Sequence, residues 1–331
     1  MIHITDRMLY GKFRLPLAIR PPVVVTTGES VIADSVKVLF VTAGWAVVTH
    51  EHGSLPLGPG NIIVVPSRVE HAISSVGFME GVAIFLRPDF LEVHLRWLPS
   101  AHPLMQQLRR AHAGAPTVGV VDTGSHGFHE LRAKLSVLAA LAGVPSSEFA
   151  VLARVADVFD QVAFLISRNP GVRATDAVHR PVIPHAPVVA AARALHKDLG
   201  HAWTVTELAQ TAAMSASQLS RLFRQDLGAS PAAYLWSART DRMAELLAAA
   251  DITVAEASQA VGWGRGSASG RAFKRRYGMS PRVFAAAARE PGPLARQGVQ
   301  GEAAAVVGAD GQMVPRAATS IANRVDRSSA R

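Results

Sequence analysis

Ser217, Ser220, Arg221 and Arg224 follow one another at steps of three, one and three, the spacing that collects side chains on one side of an α-helix. Leu219, Leu222 and Phe223 fall on the other side. A row of hydroxyl and guanidinium groups suits nucleic acid, because Arg reaches two acceptors of guanine at once and Ser bonds a base edge or a phosphate oxygen. About 50 residues later Arg271 is followed by Lys274, Arg275 and Arg276. Taken alone, that cationic run is a solvated helix face; beside Arg271 it reads as a phosphate-binding strip.

The elements that must hold these side chains are legible around them. Thr204 caps a short helix and Glu207, three residues on, completes a capping box; the helix ends near Ala213-Met214. Ser215 caps a second helix, Ala216 to Leu227, closed by Gly228, and Ser230-Pro231 starts a third. Two helices joined by a tight turn, the second with a polar outer face, are the parts of a helix-turn-helix that lays its second helix in the major groove. The pattern returns from Thr253-Val254-Ala255-Glu256 to Gly278-Met279-Ser280-Pro281, with Arg221 matching Arg271, Phe223 matching Phe273 and Gly228 matching Gly278. An uninterrupted helix from Pro231 to about Ala250 separates the two motifs. At roughly 30 Å it can hold two readers about one DNA turn apart, roughly 34 Å.

Leu208-Ala209, Leu219-Ser220-Arg221-Leu222-Phe223, Ser230-Pro231, Tyr234-Leu235, Arg239, Val261-Gly262-Trp263 and Arg271-Ala272-Phe273-Lys274-Arg275-Arg276-Tyr277-Gly278 resemble the DNA-binding domain of AraC/XylS transcription regulators. The resemblance covers about residues 188 to 288. It implies that Ser217, Ser220 and Arg221 read bases in one groove and that Arg271, with Ser267 and Ala268, sits over the next. Ser215, Arg224, Lys274, Arg275 and Arg276 then contact phosphates. The second motif departs from the family: Ala257-Ser258 replaces an Ile-Ala pair, Ser269 replaces an apolar anchor, and Gly264, Gly266 and Gly270 lie in or beside the helix. Each interior Gly costs about 1 kcal/mol, which points to a weakly specifying second reader.

Composition agrees with a polyanion partner. The 331 residues carry a formal charge of +9. Residues 1–124 and 125–180 are near neutral at +1 each, whereas 181–290 carry +5 and 291–331 carry +2. Only five of the 34 cations are Lys; Arg suits bidentate recognition, though a GC-rich coding bias explains the ratio equally well. The absence of cysteine excludes disulfides, thiolate metal sites and cysteine nucleophiles. No apolar stretch reaches the roughly 18 residues of a membrane span, and Asp6, Arg7 and Lys12 occupy the N-terminus, so a cytoplasmic location with no membrane partner is expected.

Upstream, short runs from about Pro21 to Phe90, such as Val36 to Thr42, Trp45 to Thr49 and Ile62 to Val65, read as strands of a small barrel or sandwich. Gly60, Pro66 and His71, following Leu57-x-Pro59, resemble the second conserved motif of the cupin barrel. The metal ligands of that family are missing: His50-x-His52 lies in a turn, and Lys37 stands where the Glu ligand would be. No metal, cofactor or catalysis is expected; His71 and Trp45 are effector-pocket candidates. Leu131, Leu135 and Leu138 mark a helix whose stripe either packs on the strand domain or forms a dimer face.

The expected fold is α+β. Residues 1–124 form a cupin-like barrel, 125–168 a helical hairpin for dimerisation, 169–187 a linker, 188–288 an all-α double helix-turn-helix domain and 289–331 a disordered tail. The resemblance implies a homodimeric activator that binds double-stranded DNA and RNA polymerase and answers to a small-molecule effector or partner at the N-terminal domain. Two rival readings are a cupin metalloenzyme with a nucleic-acid module and a nucleoid-associated protein of low sequence preference.

Overall fold

In the structure, a computed structural model, residues 1–10, 17–20, 28–94, 101–123, 128–141, 148–168, 183–249, 252–264 and 268–289 are described. The N-terminal part is mostly strands, with short helices near its start and end: β1 (Ile2–Ile4), α1 (Asp6–Tyr10), β2 (Leu17–Arg20), β3 (Ser30–Ala33), β4 (Val36–His50), β5 (Gly53–Leu57), β6 (Asn61–Val65), β7 (His71–Leu86), α2 (Pro88–His94), α3 (Pro103–His112) and β8 (Gly119–Asp122). Helices follow: α4 (Phe128–Leu141), α5 (Glu148–Arg168), α6 (Ala186–Lys197), α7 (Val205–Thr211), α8 (Ala216–Leu227), α9 (Pro231–Ala249), α10 (Val254–Ala260), α11 (Ala268–Tyr277) and α12 (Pro281–Arg289). The two runs Val36–Thr42 and Trp45–Thr49 are one strand, β4, kept in one ladder with β7 by register shifts between Val41 and Ala43 and between Gly44 and Trp45. Gly44 makes this possible: its φ is +72°, and a Cβ there would stand 2.1 Å from the Phe78 carbonyl oxygen.

The expected cupin-like barrel is not there. The sheet runs β1-β3-β7-β4-β6-β8, with β2 beside β7 and β5 beside β4. No ladder among the described residues joins β1 to β8, so the sheet is open. A barrel needs an unbroken hydrogen-bond register around its ring. Here the edge strands have three and four residues, and β3 meets β7 over two pairs only.

Helices cover the sheet instead. Val36, Val38 and Phe40 of β4, Ile62 and Val64 of β6, and Val82, Ile84 and Leu86 of β7 share a buried cluster with residues of α3, α4 and α5. The alternate residues Leu39, Val41, Ile63, Val65, Ala83 and Phe85 enter a second cluster with α1. This period-two division, with both faces buried, explains the unbroken apolar run Ile62–Val65.

Leu131, Leu135 and Leu138 are fully buried in the first cluster. The chain's own sheet covers the α4 stripe that was one candidate for a dimer face, so these three leucines have no surface to offer a second copy. Another side of α4 meets the C-terminal helices: Ala133 packs with Met243, Ala244 and Leu247 of α9. A separate contact brings Trp45 of β4 against Val189 and Ala192 of α6. The Gly143–Ser147 connection, most of the 169–187 segment and residues 290–331 lie outside the described residues.

Candidate nucleic-acid interface

The first reader is fastened at both ends by its own sequence. Thr204 Oγ1 accepts the Glu207 N–H at 3.2 Å; in return the Thr204 N–H and hydroxyl each donate to the Glu207 carboxylate at 2.8 Å and hold its carboxyl below the usual range. Ala213, at φ +53°, turns the chain into a second box, in which Ser215 Oγ accepts from Gln218 N and Gln218 Oε1 accepts from Ser215 N. Gly228, left-handed at φ +68°, ends α8 and donates its N–H to the Arg224 carbonyl at 3.1 Å. Between these fastenings, Leu219 and Phe223 are fully buried against Leu195, Leu208 and Leu235. On the opposite face Ser217, Arg221 and Arg224 are exposed and Ser220 is half-buried, with Ser215 exposed at the N-terminus. Hydroxyls and guanidiniums thus share one convex surface one helix wide, the shape a major groove admits.

The second reader is built alike but is poorer in base-reading groups. Thr253 and Glu256 form the box at α10, with bonds of 3.2 and 2.7 Å. In α11, Ala272, Phe273 and Tyr277 are buried, and Ser269, the departure from the usual apolar anchor, is buried with them. Arg271, Lys274 and Arg275 are exposed and Ala268 is half-buried; Ser267 lies outside the described residues. The two halves touch through backbone: at φ +78°, Gly262 approaches Gly200 so closely that a Cβ would stand 2.4 Å from the Gly200 oxygen. Arg239 of α9 donates to the carbonyls of Leu199 and His201, both at 2.7 Å, and so ties the segment before α7 to the connecting helix.

Arg276 stands apart from its two neighbours. Its guanidinium is engaged by Asp241 of α9, to which Tyr277 also donates at 3.2 Å. Asp241 belongs to a polar junction that joins the N-terminal sheet to the connecting helix. Arg132 of α4 bonds the Glu245 carboxylate, lies 3.6 Å from Glu80 of β7 and 4.0 Å from Asp241, and donates to the Thr42 carbonyl at 3.4 Å. Arg242 bonds the other Glu245 oxygen at 3.0 Å. Burial opposes charge on Arg132, but Glu245, Asp241 and Glu80 outweigh it and raise the guanidinium's pKa. Burial likewise pushes Glu245 up, and the Arg132 and Arg242 cations more than reverse it. The sequence reading missed this junction. The one signal was local, with Arg132 set beside Leu131 in a buried stripe and Asp241 and Glu245 one turn apart in a largely apolar helix.

Neither effector-pocket candidate lines a described cavity. His71 is buried and hydrogen-bonded to Lys37 at 3.2 Å. Trp45 is buried with Phe78 edge-on at 5.9 Å. A cavity of about 570 Å³ opens instead at the junction, walled by Thr42, Glu80, Val82, Arg132 and Ser136 on the N-terminal side and by His196, Leu199, Arg242 and Glu245 on the other. Among the described residues no group of three or more His, Asp or Glu could hold a metal ion, and no helix is long and apolar enough to cross a membrane.

Residues 208–287 match the helix-turn-helix domain family. A Streptomyces antibioticus protein named as an AraC-like transcription regulator is 42% identical over 111 residues, 33% of this chain and 37% of that protein. A Streptomyces lividans protein named in the same way is 43% identical over 96 residues, 29% of this chain and 32% of that one. The chain therefore spans about a third of the length of these relatives. The Escherichia coli K12 protein named RCS-specific HTH-type transcriptional activator RclR is 24% identical over 258 residues, 72% of this chain and 79% of that protein. All three relatives are named as transcription regulators.

Proposed function

We propose that this chain regulates transcription by reading DNA with α8 and α11 in two neighbouring major grooves. The observation that carries this reading is the division of α8: Leu219 and Phe223 are fully buried while Ser217, Arg221 and Arg224 face outward. Ser217, Ser220 and Arg221 read bases, with Ser215 and Arg224 on flanking phosphates. In α11, Arg271 is the main reader, Ala268 offers only a methyl group, and Lys274 and Arg275 hold phosphates. The second groove then adds affinity more than sequence preference. The 19 residues of α9, about 28 Å of helix, set the separation of the two readers.

Control comes from the N-terminal unit. A small-molecule effector fits the junction cavity, whose walls belong both to the sheet with α4 and to α6 with α9. A ligand there has different contacts in the docked and undocked arrangements, which is the differential affinity a switch needs. The regulator raises transcription, as the RclR protein's name states for that relative, by contact with RNA polymerase at an adjoining promoter.

Selection of bound sequences from random duplex DNA tests the reading. A defined site should be enriched, and Arg221→Ala should lose about tenfold or more in affinity at one base pair, the 1–3 kcal/mol of a bidentate contact. Binding with steep salt dependence and no enriched sequence would instead favour the nucleoid-associated alternative.

A further inference from the structure

The three carboxylates around Arg132 are unequally served. Glu245 accepts from Arg132 Nε and, at 3.0 Å, from Arg242. Asp241 accepts from Arg276 at two points and from the Tyr277 hydroxyl. The Glu80 carboxylate, among the described residues, has no hydrogen bond and one cation, Arg132 Nη2 at 3.6 Å, on a guanidinium already bonded to Glu245 and to the Thr42 carbonyl. A carboxylate drawn out of water needs donors to hold its charge, and burial pushes the Glu80 carboxyl up in spite of Arg132.

Glu80 also walls the junction cavity, whose volume of about 570 Å³ is that of a small-molecule site. The wall grades from polar to apolar along the way in. Thr42, Val82 and Arg132 are buried and Glu80 is half-buried, whereas Ala140 and Ala249 are exposed and form an open rim. The charged groups of the wall, Glu80, Arg132, Arg242 and Glu245, sum to zero, so the head group that fits is decided locally. Arg132 is taken up by its acids, and Arg242 is paired and 52% exposed, where salt screens it. Bonding capacity to spare lies on Glu80, and an anion placed there would also face Glu245.

We infer that the junction cavity takes a primary alkylamine, with its ammonium on Glu80 and its apolar chain against Ala139, Leu246 and Ala249. This rests on the cavity being the effector site, as proposed above, and adds the ligand's class. The ammonium has three hydrogens to donate. Glu80 accepts, and Ser136, another wall residue, has lone pairs left because its hydroxyl donates to the Arg132 carbonyl at 3.1 Å. Glu80 belongs to β7 and Leu246 and Ala249 to α9, so head and chain engage opposite sides of the junction.

Calorimetric titration of the full chain with hexylamine, hexanol and hexanoate at neutral pH tests this. Hexylamine should bind tightest. Glu80→Gln should weaken it about tenfold or more, the worth of a charged hydrogen bond, and leave hexanol unchanged, which reports an intact cavity. Butylamine should bind about fourfold more weakly for each methylene removed. Ala140→Trp, at the exposed rim, should block all entry. Hexanoate binding the unaltered chain as tightly as hexylamine would overturn the amine; if Ala140→Trp abolishes that binding, the cavity stays an effector site of other chemistry. Hexylamine binding that survives Glu80→Gln or Ala140→Trp undiminished would overturn the proposal by placing the ligand elsewhere. Failure of every probe to bind would remove the effector reading of the cavity along with it.

Discussion

Arg276 and Asp241 meet as a two-point pair, Nε to Oδ1 at 2.5 Å and Nη2 to Oδ2 at 2.8 Å. The last cation of Lys274-Arg275-Arg276 is thereby taken from the DNA-facing surface and made a clamp between α11 and α9. Its neighbours keep the outward role, so the three should behave differently on replacement. Lys274→Ala and Arg275→Ala should each lower the magnitude of the salt slope of DNA binding by about 1 and leave the unfolding midpoint unchanged. Arg276→Ala should cost on the order of 3 kcal/mol of stability, because it leaves Asp241 buried without its main partner. Urea unfolding beside DNA titrations at several salt concentrations separates the two classes. Equal effects from all three would contradict the assignment.

Arg132 holds the N-terminal unit to α9 through Glu245, so Arg132→Met should loosen the contact between them. With Glu80, Asp241 and Glu245 left facing one another, a loss of about 3 to 5 kcal/mol is expected. Arg132→Met combined with Glu245→Leu should recover part of it, since both ends of the pair are then apolar. A double-mutant cycle measures the coupling; strictly additive losses would show that the two residues act independently.

Acid should destabilise the chain through its histidines. Burial pushes His71 down to about 4 and His196 down to about 3. In the unfolded chain both titrate near pH 6.5, so below that pH the unfolded state binds protons that the folded state refuses. Stability is complete above about pH 6.5 and falls as pH drops toward 4, by up to about 3 kcal/mol from His71 alone. Glu80, whose carboxyl burial pushes up, opposes this weakly. Urea midpoints between pH 8 and 4.5 measure the slope, and His196→Gln should flatten it; an unchanged slope would remove His196 from the account.

The three capping boxes invite a simple comparison. Thr204→Ala, Ser215→Ala and Thr253→Ala should each cost about 1 kcal/mol, and Ser215→Ala should also weaken DNA binding because its hydroxyl lies at the end of α8 beside Ser217. Thermal melts with and without bound DNA distinguish these contributions.

Features determined within a few residues were readable in advance. The boxes at Thr204 and Thr253, the αL glycine at 228 and the burial of Leu219 and Phe223 depend on side chains one turn apart, and sequence spacing reports them directly. Closure of the sheet depends on whether β1 meets β8, and the alternation of apolar residues is the same in an open sheet and a barrel. The Leu131, Leu135 and Leu138 stripe shows the same limit, since periodicity identifies an apolar face without naming what covers it. Arg276 looked like Lys274 and Arg275 because its partner lies 35 positions away, and Arg132 and Glu245 are 113 apart.

The acid cluster around Arg132 also limits how the chain can be recombined. Moved onto a different N-terminal unit, the helix-turn-helix domain would keep Arg276 on Asp241 and Arg242 on Glu245, but Glu245 would lose Arg132, its partner on α4. A working chimera therefore has to inherit α4 along with the reader, or exchange Glu245 for an apolar residue while keeping the Asp241–Arg276 pair. The cut that such a transfer has to respect runs through that helix, at the ion pairs of Arg132.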